Sequence, residues 1–550
     1  MVTRGQGATR GPIGRIAGGC TLALLLATAA APARSPERDA VRPAPSTPAA
    51  ATRTVALATM KRATRFMVDK LAYRGGYVWS YLPDRSRQWG ELEAYPTMIW
   101  VQPPGTATVG HLLLDAYHAT GDAYYYRAAA QAAAALVAGQ KPQGGWHYFI
   151  DFGGAASTRR WYDTIGRNAW RMEEFQHDWG NATYDDGGTG EAIRFLTRMS
   201  VERPDPQIRA ALTRAIDFVL ASQLDNGGWP QRWPFVADGG LHGRPDYTRL
   251  ITFNDSVIAD NIDVLVTYHQ ATGDARVLPA IRRGMDIYIA TRQPAPQAGW
   301  GLQHTPDLKP AGARSYEPVA LVTHTTATNI AQLMQFFRMT GDRRYLAPIP
   351  DALAWLESVR LPAAQQVGGR QFPTFVQIGT NRPLYVHRRG SNVVNGEYYV
   401  DHDPADTIGH YNARRAIDTA ALAAEYRRLA APPAGAPVDP ALGDGRRPLR
   451  RYWTPGAQAM PGHPVATGQV ARLAASLNRE GWWPTPLRAT SHRYTRDGSA
   501  TVTPGDYRTT DVGDATDTSP FDIEGGPVAI STGVYIDNMA KLIAALPDAR

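Results

Sequence analysis

Several stretches of this chain hold polar residues that helix packing does not call for. Asn181-Ala-Thr-Tyr-Asp-Asp-Gly-Gly-Thr-Gly-Glu191 sets Asp185 and Asp186 side by side, ahead of an apolar run, Ala192-Ile-Arg-Phe-Leu196. One carboxylate at a helix N-terminus is ordinary capping. Two adjacent acids exceed what a cap needs and suit a hard cation bound through oxygen, so the motif divides evenly between cap and metal site. Ile251-Thr-Phe-Asn-Asp-Ser256 repeats the arrangement one helix pair later, with Asp255 at the helix start. Lys309 and Arg314 stand in a Pro-rich, non-periodic loop, Leu302 to Pro318. Arg382, Arg388 and Arg389 stand in an alternating stretch, Gln371 to Gly390, that reads as a short β-hairpin. Guanidinium groups on structured loops near a cation site can bind carboxylates through two parallel hydrogen bonds.

The elements that must position these groups are helix pairs. A phrase recurs as Ala119-Thr-Gly-Asp122, Ala271-Thr-Gly-Asp274 and Met339-Thr-Gly-Asp342, with Glu202-Arg-Pro-Asp205 in the equivalent place. Each copy lies between two stretches of helical apolar period. Its glycine suits a left-handed helix terminus and its aspartate a cap for the next helix. A second phrase closes the units: Gly75-Gly-Tyr77, Gly144-Gly-Trp146, Gly227-Gly-Trp229 and Ala298-Gly-Trp300. This predicts an all-α dominated fold, an (α/α) toroid or incomplete α/α barrel, with long loops and short β-hairpins at one rim. A straight α-solenoid is the alternative. Long, dissimilar, polar loops gathered at one end argue for the toroid.

The expected organisation is a signal peptide over 1–33, an Ala/Pro-rich leader over 34–52, the toroid over 53–430 and an extension over 431–550. The extension either packs back to close the ring or forms a small appendage. Arg4, Arg10 and Arg15 precede the apolar run Cys20-Thr-Leu-Ala-Leu-Leu-Leu-Ala27, which is too short to span a bilayer and reads as an export signal. A secreted or periplasmic protein is expected, with no membrane association after cleavage. Cys20 is the one cysteine, so the mature chain has no disulfide or thiolate chemistry. The net charge of +8 favours an anionic partner. Scattered arginines without a basic block argue against nucleic acid, and the chain is expected to act as a monomer.

In these motifs the chain resembles polysaccharide lyase family 10, the pectic acid lyases, over residues 55 to 425. The acid pair with Ile-Arg-Phe-Leu, then Asn-Gly-Gly-Trp-Pro-Gln, Ile-Thr-Phe-Asn-Asp, Leu-Lys-Pro-Ala-Gly-Ala-Arg-Ser-Tyr-Glu and Ile-Gly-Thr-Asn-Arg-Pro carry the resemblance in order. It implies calcium-dependent β-elimination of galacturonate-rich polymers, with Asp185 and Asp255 holding Ca²⁺. Asp186 would sit beside them against substrate, where the family commonly has Asn. Arg314 would be the proton-abstracting base and Arg388 a carboxylate-binding group. Arg382, Trp229 and Arg232 join as substrate-binding candidates. Thr374 stands where the family usually has an arginine, a contact that is lost or supplied by Arg370 or Arg389. Lys309 is the chemically easier base, since a guanidinium is essentially always protonated. The region Gly144 to Trp179, with Glu173, Glu174 and several aromatic residues, is expected to reshape the cleft. Two rivals have other chemistry. A glycoside hydrolase would use Glu173/Glu174 or Asp185/Asp186, although adjacent acids are poorly placed to flank one bond. A non-catalytic binder of acidic polysaccharide would tolerate Asp255→Ala.

Overall fold

The Thr-Gly-Asp phrase shapes the helix turns. Gly121, Gly273 and Gly341 take φ of 73°, 75° and 71° directly after a helix, a left-handed conformation that costs glycine little. The aspartate after each glycine then caps the next helical turn. Asp122 accepts from the Tyr124 N–H, Asp274 from Arg276 and Asp342 from Arg344. Asp205 caps the Gln207 and Ile208 N–H groups in the same way.

The computed structural model describes residues 47–166, 173–237, 239–241, 243–389, 397–405, 407, 411–431, 442–443, 446–454, 459–487 and 528–547. The expected signal peptide and most of the leader lie outside these. The leader boundary at residue 52 is corrected, because helix α1 (Thr47–Phe66) begins earlier. Its opening Thr-Pro-Ala-Ala-Ala has proline in the first turn and alanines behind it, a favourable helix start.

The chain then alternates outer and inner helices. Outer α1 leads through Gly75 and Tyr77 to inner α2 (Thr106–Thr120). Outer α3 (Ala123–Ala138) leads through Gly144, Trp146 and two short helices, α4 (Ala155–Thr164) and α5 (Glu173–Gln176), to inner α6 (Gly188–Glu202). Outer α7 (Pro206–Ala221) leads to inner α8 (Val257–Thr272), and outer α9 (Leu278–Ala290) to inner α10 (Thr323–Thr340). Outer α11 (Ile349–Ser358) leads to α12 (Thr419–Ala430), and α13 (Gln469–Ser476) to inner α14 (Thr532–Ala544). α14 packs on α2, α2 on α6 and α6 on α8, while α10 packs on α9 and α12. The result is an (α/α) toroid whose inner helices are all entered from the same rim through short strands.

The Gly-aromatic loops lock each outer helix to its neighbours. The indole N–H groups of Trp146, Trp229, Trp300 and Trp483 donate to Leu136, Val219, Tyr288 and Leu473, each at 2.9 Å. These carbonyls belong to the last turns of α3, α7, α9 and α13, where helix carbonyls run short of intrahelical donors, although the Leu473 carbonyl also takes the Leu477 N–H. Trp229 is therefore corrected as a substrate-binding candidate: it is 0 % exposed and spends its N–H inside the wall. The glycines ahead of the indoles let the loops touch the next outer helix. A Cβ on Gly144 would lie 2.2 Å from the Arg214 carbonyl oxygen, and on Gly227 2.4 Å from that of Arg283. Gly144→Ala, at φ 107°, should therefore destabilise by about 2–5 kcal/mol through strain and overpacking. A urea midpoint within error of the parent would refute this.

Gly481 and Trp483 are a further copy of the same loop, in the C-terminal extension. Gly481 takes φ 108° against the Arg62 carbonyl of α1, and Arg62 donates back to the Leu477 and Asn478 carbonyls. The strand Val528–Ser531 pairs with Ser80–Tyr81, which sets α14 beside α1 and α2. Residues 446–454 run beneath the inner helices: Arg447 N–H meets Gln270, Arg198 holds the Arg451 carbonyl, and Asp115 takes the Trp453 and Thr454 N–H groups.

Candidate active site at the rim of the inner helices

Two inner helices open with the same turn. Asp185–Gly187 precedes α6 and Asn254–Ser256 precedes α8. Asp186 (φ 50°, ψ 24°) and Asp255 (φ 49°, ψ 24°) occupy equivalent left-handed positions, where non-glycine residues are uncommon and the cost is met by the surrounding fold. The matched turns bring oxygens of Asp185, Asp186 and Asp255 within 4.8 Å of one another. Asp185 is buried, Asp186 half-buried and Asp255 exposed to the cleft. Sequence alone divides these carboxylates between capping and metal binding; in the fold none of them accepts a bond from its own helix.

Each aspartate is held in place. Asp185 Oδ2 accepts from the Tyr148 hydroxyl at 2.5 Å and from Arg314 at 2.8 Å, while its Oδ1 is buried without a donor. Gln102 Nε2 donates to Asp186 Oδ2 and to Glu91 Oε2, both at 2.7 Å. The Trp100 indole N–H, 2.9 Å from Gln102 Oε1, sets which way that amide points. Glu174 and Glu317 complete the acidic wall. Arg314, 3 % exposed, reaches Glu174 at 2.9 Å, Asp185 at 2.8 Å and Glu317 at 3.1 Å.

The carboxylates outnumber the guanidinium groups, and their proton affinities show it. Desolvation within the cleft, then the charges of Asp185 and Asp186, push Asp255 well above the usual carboxylate range. Burial, then Asp185 and Glu91, do the same to Asp186. Asp185 is held low: Arg314 and the hydrogen bonds it accepts outweigh its burial. A buried, donorless oxygen among crowded carboxylates is what a hard divalent cation would satisfy, and the all-oxygen donor set fits one. For Arg314, burial favours the neutral form, but Glu174, Asp185 and Glu317 outweigh it and hold the guanidinium charged.

These shifts predict a pH dependence of stability. Burial and then Glu174 bring Glu91 to about 8, and burial brings Glu173 to about 7. Both values are raised on folding, so the stability they contribute is complete in acid and lost as pH rises through 7 and 8. The loss is at most about 1.4 kcal/mol per pH unit for each group. His304 runs the other way: burial holds it near about 3, and its contribution above about pH 6.5 is lost as pH falls. In chelator the melting temperature should fall between about pH 6 and pH 9, and a divalent cation should flatten this alkaline limb by replacing protons. Equal melting temperatures at about pH 6 and pH 9 in chelator would contradict the assignment of these carboxylates.

The other sequence candidates fall elsewhere. Lys309 is at an exposed hairpin tip, paired with Asp307 at 2.8 Å, which raises its pKa. As a base it is corrected, since its ammonium is held away from the cluster and its proton is tightened. Arg232 is 0 % exposed, over the Trp179 and Tyr148 rings, and donates to the Glu174 carbonyl. It braces the wall behind the site, and a polymer cannot reach it. Thr374 is also corrected: it is 1 % exposed, and its hydroxyl is taken by the Asn412 carbonyl. Arg382 is exposed in a turn whose Asn381 anchors to Gln297 and Trp355 on the outer layer. Arg388 and Arg389 sit on the strand Pro383–Arg389, with side chains outside those described. The aromatic residues Trp146 and Trp161 of the Gly144–Trp179 region are core residues, while Glu173 and Glu174 reach the site.

A sequence model of the pectic acid lyase family matches residues 153–402. The matched segment contains the three aspartates, Glu174, Arg314 and Glu317; Glu91 and Gln102 precede it. No curated protein sequence matches the chain. Among solved structures, a mutant family 10 polysaccharide lyase from Cellvibrio cellulosa in complex with trigalacturonic acid is 18% identical. The match covers 54% of this chain and 85% of that one at a TM-score of 0.35. A second structure of the Cellvibrio lyase is 19% identical over 52% and 87% of the two chains, also at 0.35. The cellobiose 2-epimerase from Spirochaeta thermophila is 12% identical over 70% and 98%, at 0.32.

Proposed function

From the match of residues 153–402 to the pectic acid lyase family, we propose that the chain is an exported, calcium-dependent pectate lyase. On this reading it acts as a monomer on (1→4)-α-D-galacturonan and leaves 4,5-unsaturated oligogalacturonides. The observation that carries the reading is the buried, donorless Oδ1 of Asp185 set among the oxygens of Asp186 and Asp255.

Asp185, Asp186 and Asp255 would hold the ion. When bound, Ca²⁺ would withdraw charge from a uronate carboxylate and make the neighbouring C5 proton more acidic. The chain's own residues do the rest. Tyr148 and Arg314 fix Asp185, and Gln102 fixes Asp186, so that the ligand oxygens are set before substrate arrives. Arg314 keeps the proton-accepting role because it is the candidate base that stands in the cluster. Three carboxylates make its neutral form scarce, so turnover by this route belongs to alkaline pH. Arg388 keeps its assignment to a substrate carboxylate from the family resemblance.

The test is near-ultraviolet absorbance during incubation with polygalacturonate, with added Ca²⁺ and with chelator. Growth of an unsaturated-uronide signal that chelator abolishes is expected. New reducing ends without that signal would replace the lyase by a hydrolase. Neither product would remove catalysis on this polymer. Export is tested separately, by sequencing the N-terminus of protein recovered from outside the cytoplasm.

A further inference from the structure

Beyond the aspartates the same rim turns basic. Arg415 lies on the short strand Arg414–Arg415, paired with Phe372–Pro373, and its carbonyl accepts from the Gln371 N–H at 3.0 Å. The side chain is half-buried, and its Nε is buried with no hydrogen-bond partner. Among the described residues no carboxylate pairs with it. The charged and titratable groups it feels are Tyr411 and Arg370, and it acts in turn on His324, whose Nδ1 is also buried and unpartnered. Burial, opposed by Tyr411 and assisted by Arg370, brings the Arg415 pKa down to about 10. A guanidinium in this condition lacks both its counter-ion and part of its hydration, and an arriving anion would relieve both.

The location connects it to the proposed active site. His324 is in the first turn of α10, the next inner helix after α8. Tyr411 spans the gap: Asn254 Nδ2 donates to its hydroxyl at 3.1 Å, beside Asp255, and that hydroxyl donates to Glu317 at 2.5 Å. The floor therefore runs from the aspartate trio through Asn254 and Tyr411 to Arg415. Its first end needs a cation to accept a carboxylate, and its second end needs none.

We propose that Arg415, with His324 and Arg370 beside it, forms a cation-independent subsite for a carboxylate of the bound polyuronate. This rests on the polyuronate reading of the site and extends it. A chain carrying a carboxylate on every sugar can place one at the trio and another at Arg415. A neutral or heavily esterified chain can occupy the cleft and still leave Arg415 unpaired.

The experiment is calorimetric binding of trigalacturonate in chelator and in Ca²⁺, alongside its fully methyl-esterified counterpart. Wild type, Arg415→Gln, Arg415→Lys and, as a control exposed on outer helix α7, Arg209→Gln are compared, with a melting curve for each. Arg415→Gln is expected to weaken trigalacturonate binding about 10- to 100-fold in both media, the scale of a lost charge-assisted hydrogen bond. It should leave binding of the esterified ligand unchanged and should not lower the melting temperature. Arg415→Lys should recover part of the loss, and Arg209→Gln should behave as wild type. On polygalacturonate the Arg415→Gln effect should fall mainly on KM. Undiminished binding by Arg415→Gln, or equal loss for acid and ester, would overturn the subsite. Wild type that binds trigalacturonate but releases no unsaturated product would remove the lyase reading and leave the subsite standing. Wild type that does not bind it would overturn the subsite as well.

Discussion

Asp255→Ala should abolish turnover and make the ion-free protein more stable. Asp255 opens to the cleft, has no cationic partner among the described residues, and sits within 4.8 Å of two other carboxylates. Desolvation beside them, and then their charges, raise its pKa well above the ordinary range, so its ionised form is a cost to the fold. Removing it relieves that repulsion by about 1 kcal/mol, the scale of like-charge pairs at partly shielded sites. The same substitution takes away one of the oxygens that would hold calcium. Loss of one electrostatic stabiliser of a developing charge costs on the order of a thousandfold in rate. Unsaturated product formation, calorimetric Ca²⁺ titration and melting in chelator test the pair of effects together. A variant that keeps parental activity would remove Asp255 from the site and favour the non-catalytic binder. A variant that loses activity and also melts earlier would mark it as structural.

Arg314→Ala should be the most damaging single change, for two separable reasons. The guanidinium is shared by Glu174, Asp185 and Glu317, all buried, and deleting it leaves them facing one another. Breaking a buried ion pair from one side costs about 3–5 kcal/mol. Calcium should recover part of that loss, because it neutralises the same carboxylates, so the melting temperature of Arg314→Ala should respond to Ca²⁺ more than that of wild type. The catalytic effect has its own signature. If Arg314 accepts the C5 proton, wild-type kcat/KM should climb about tenfold per pH unit through the alkaline range, without a plateau where His or Lys would titrate. A profile that levels near about pH 8 would assign the proton to another group and leave Arg314 its electrostatic role alone.

The local grammar of the chain was legible without the fold. A Thr-Gly-Asp turn works through one φ angle and one side-chain cap within three residues, so it reads directly, and so does the helix-pair repeat. Asp185 and Asp186, adjacent at one helix start, and Asp255, at the equivalent start one helix pair later, were legible for the same reason. The Gly-Gly-Trp phrase was legible as a repeat and misleading as a site. An indole can stack on a sugar or close a helix carbonyl, and which it does depends on the helix beside it. Trp229 and Trp483 show the second use.

Tertiary structure decided everything that depends on which distant groups meet. Glu174, Gln102 and Tyr411 come from separate units and reach the site because the ring sets their loops on one rim. Arg314 and Arg415 are the same residue type on neighbouring loops. Three carboxylates hold the first, while among the described residues the second has none. Proton affinity follows burial and charged neighbours over a few ångströms. Sequence determines the residue type and its immediate turn, and the fold determines the electrostatic surroundings in which that residue works.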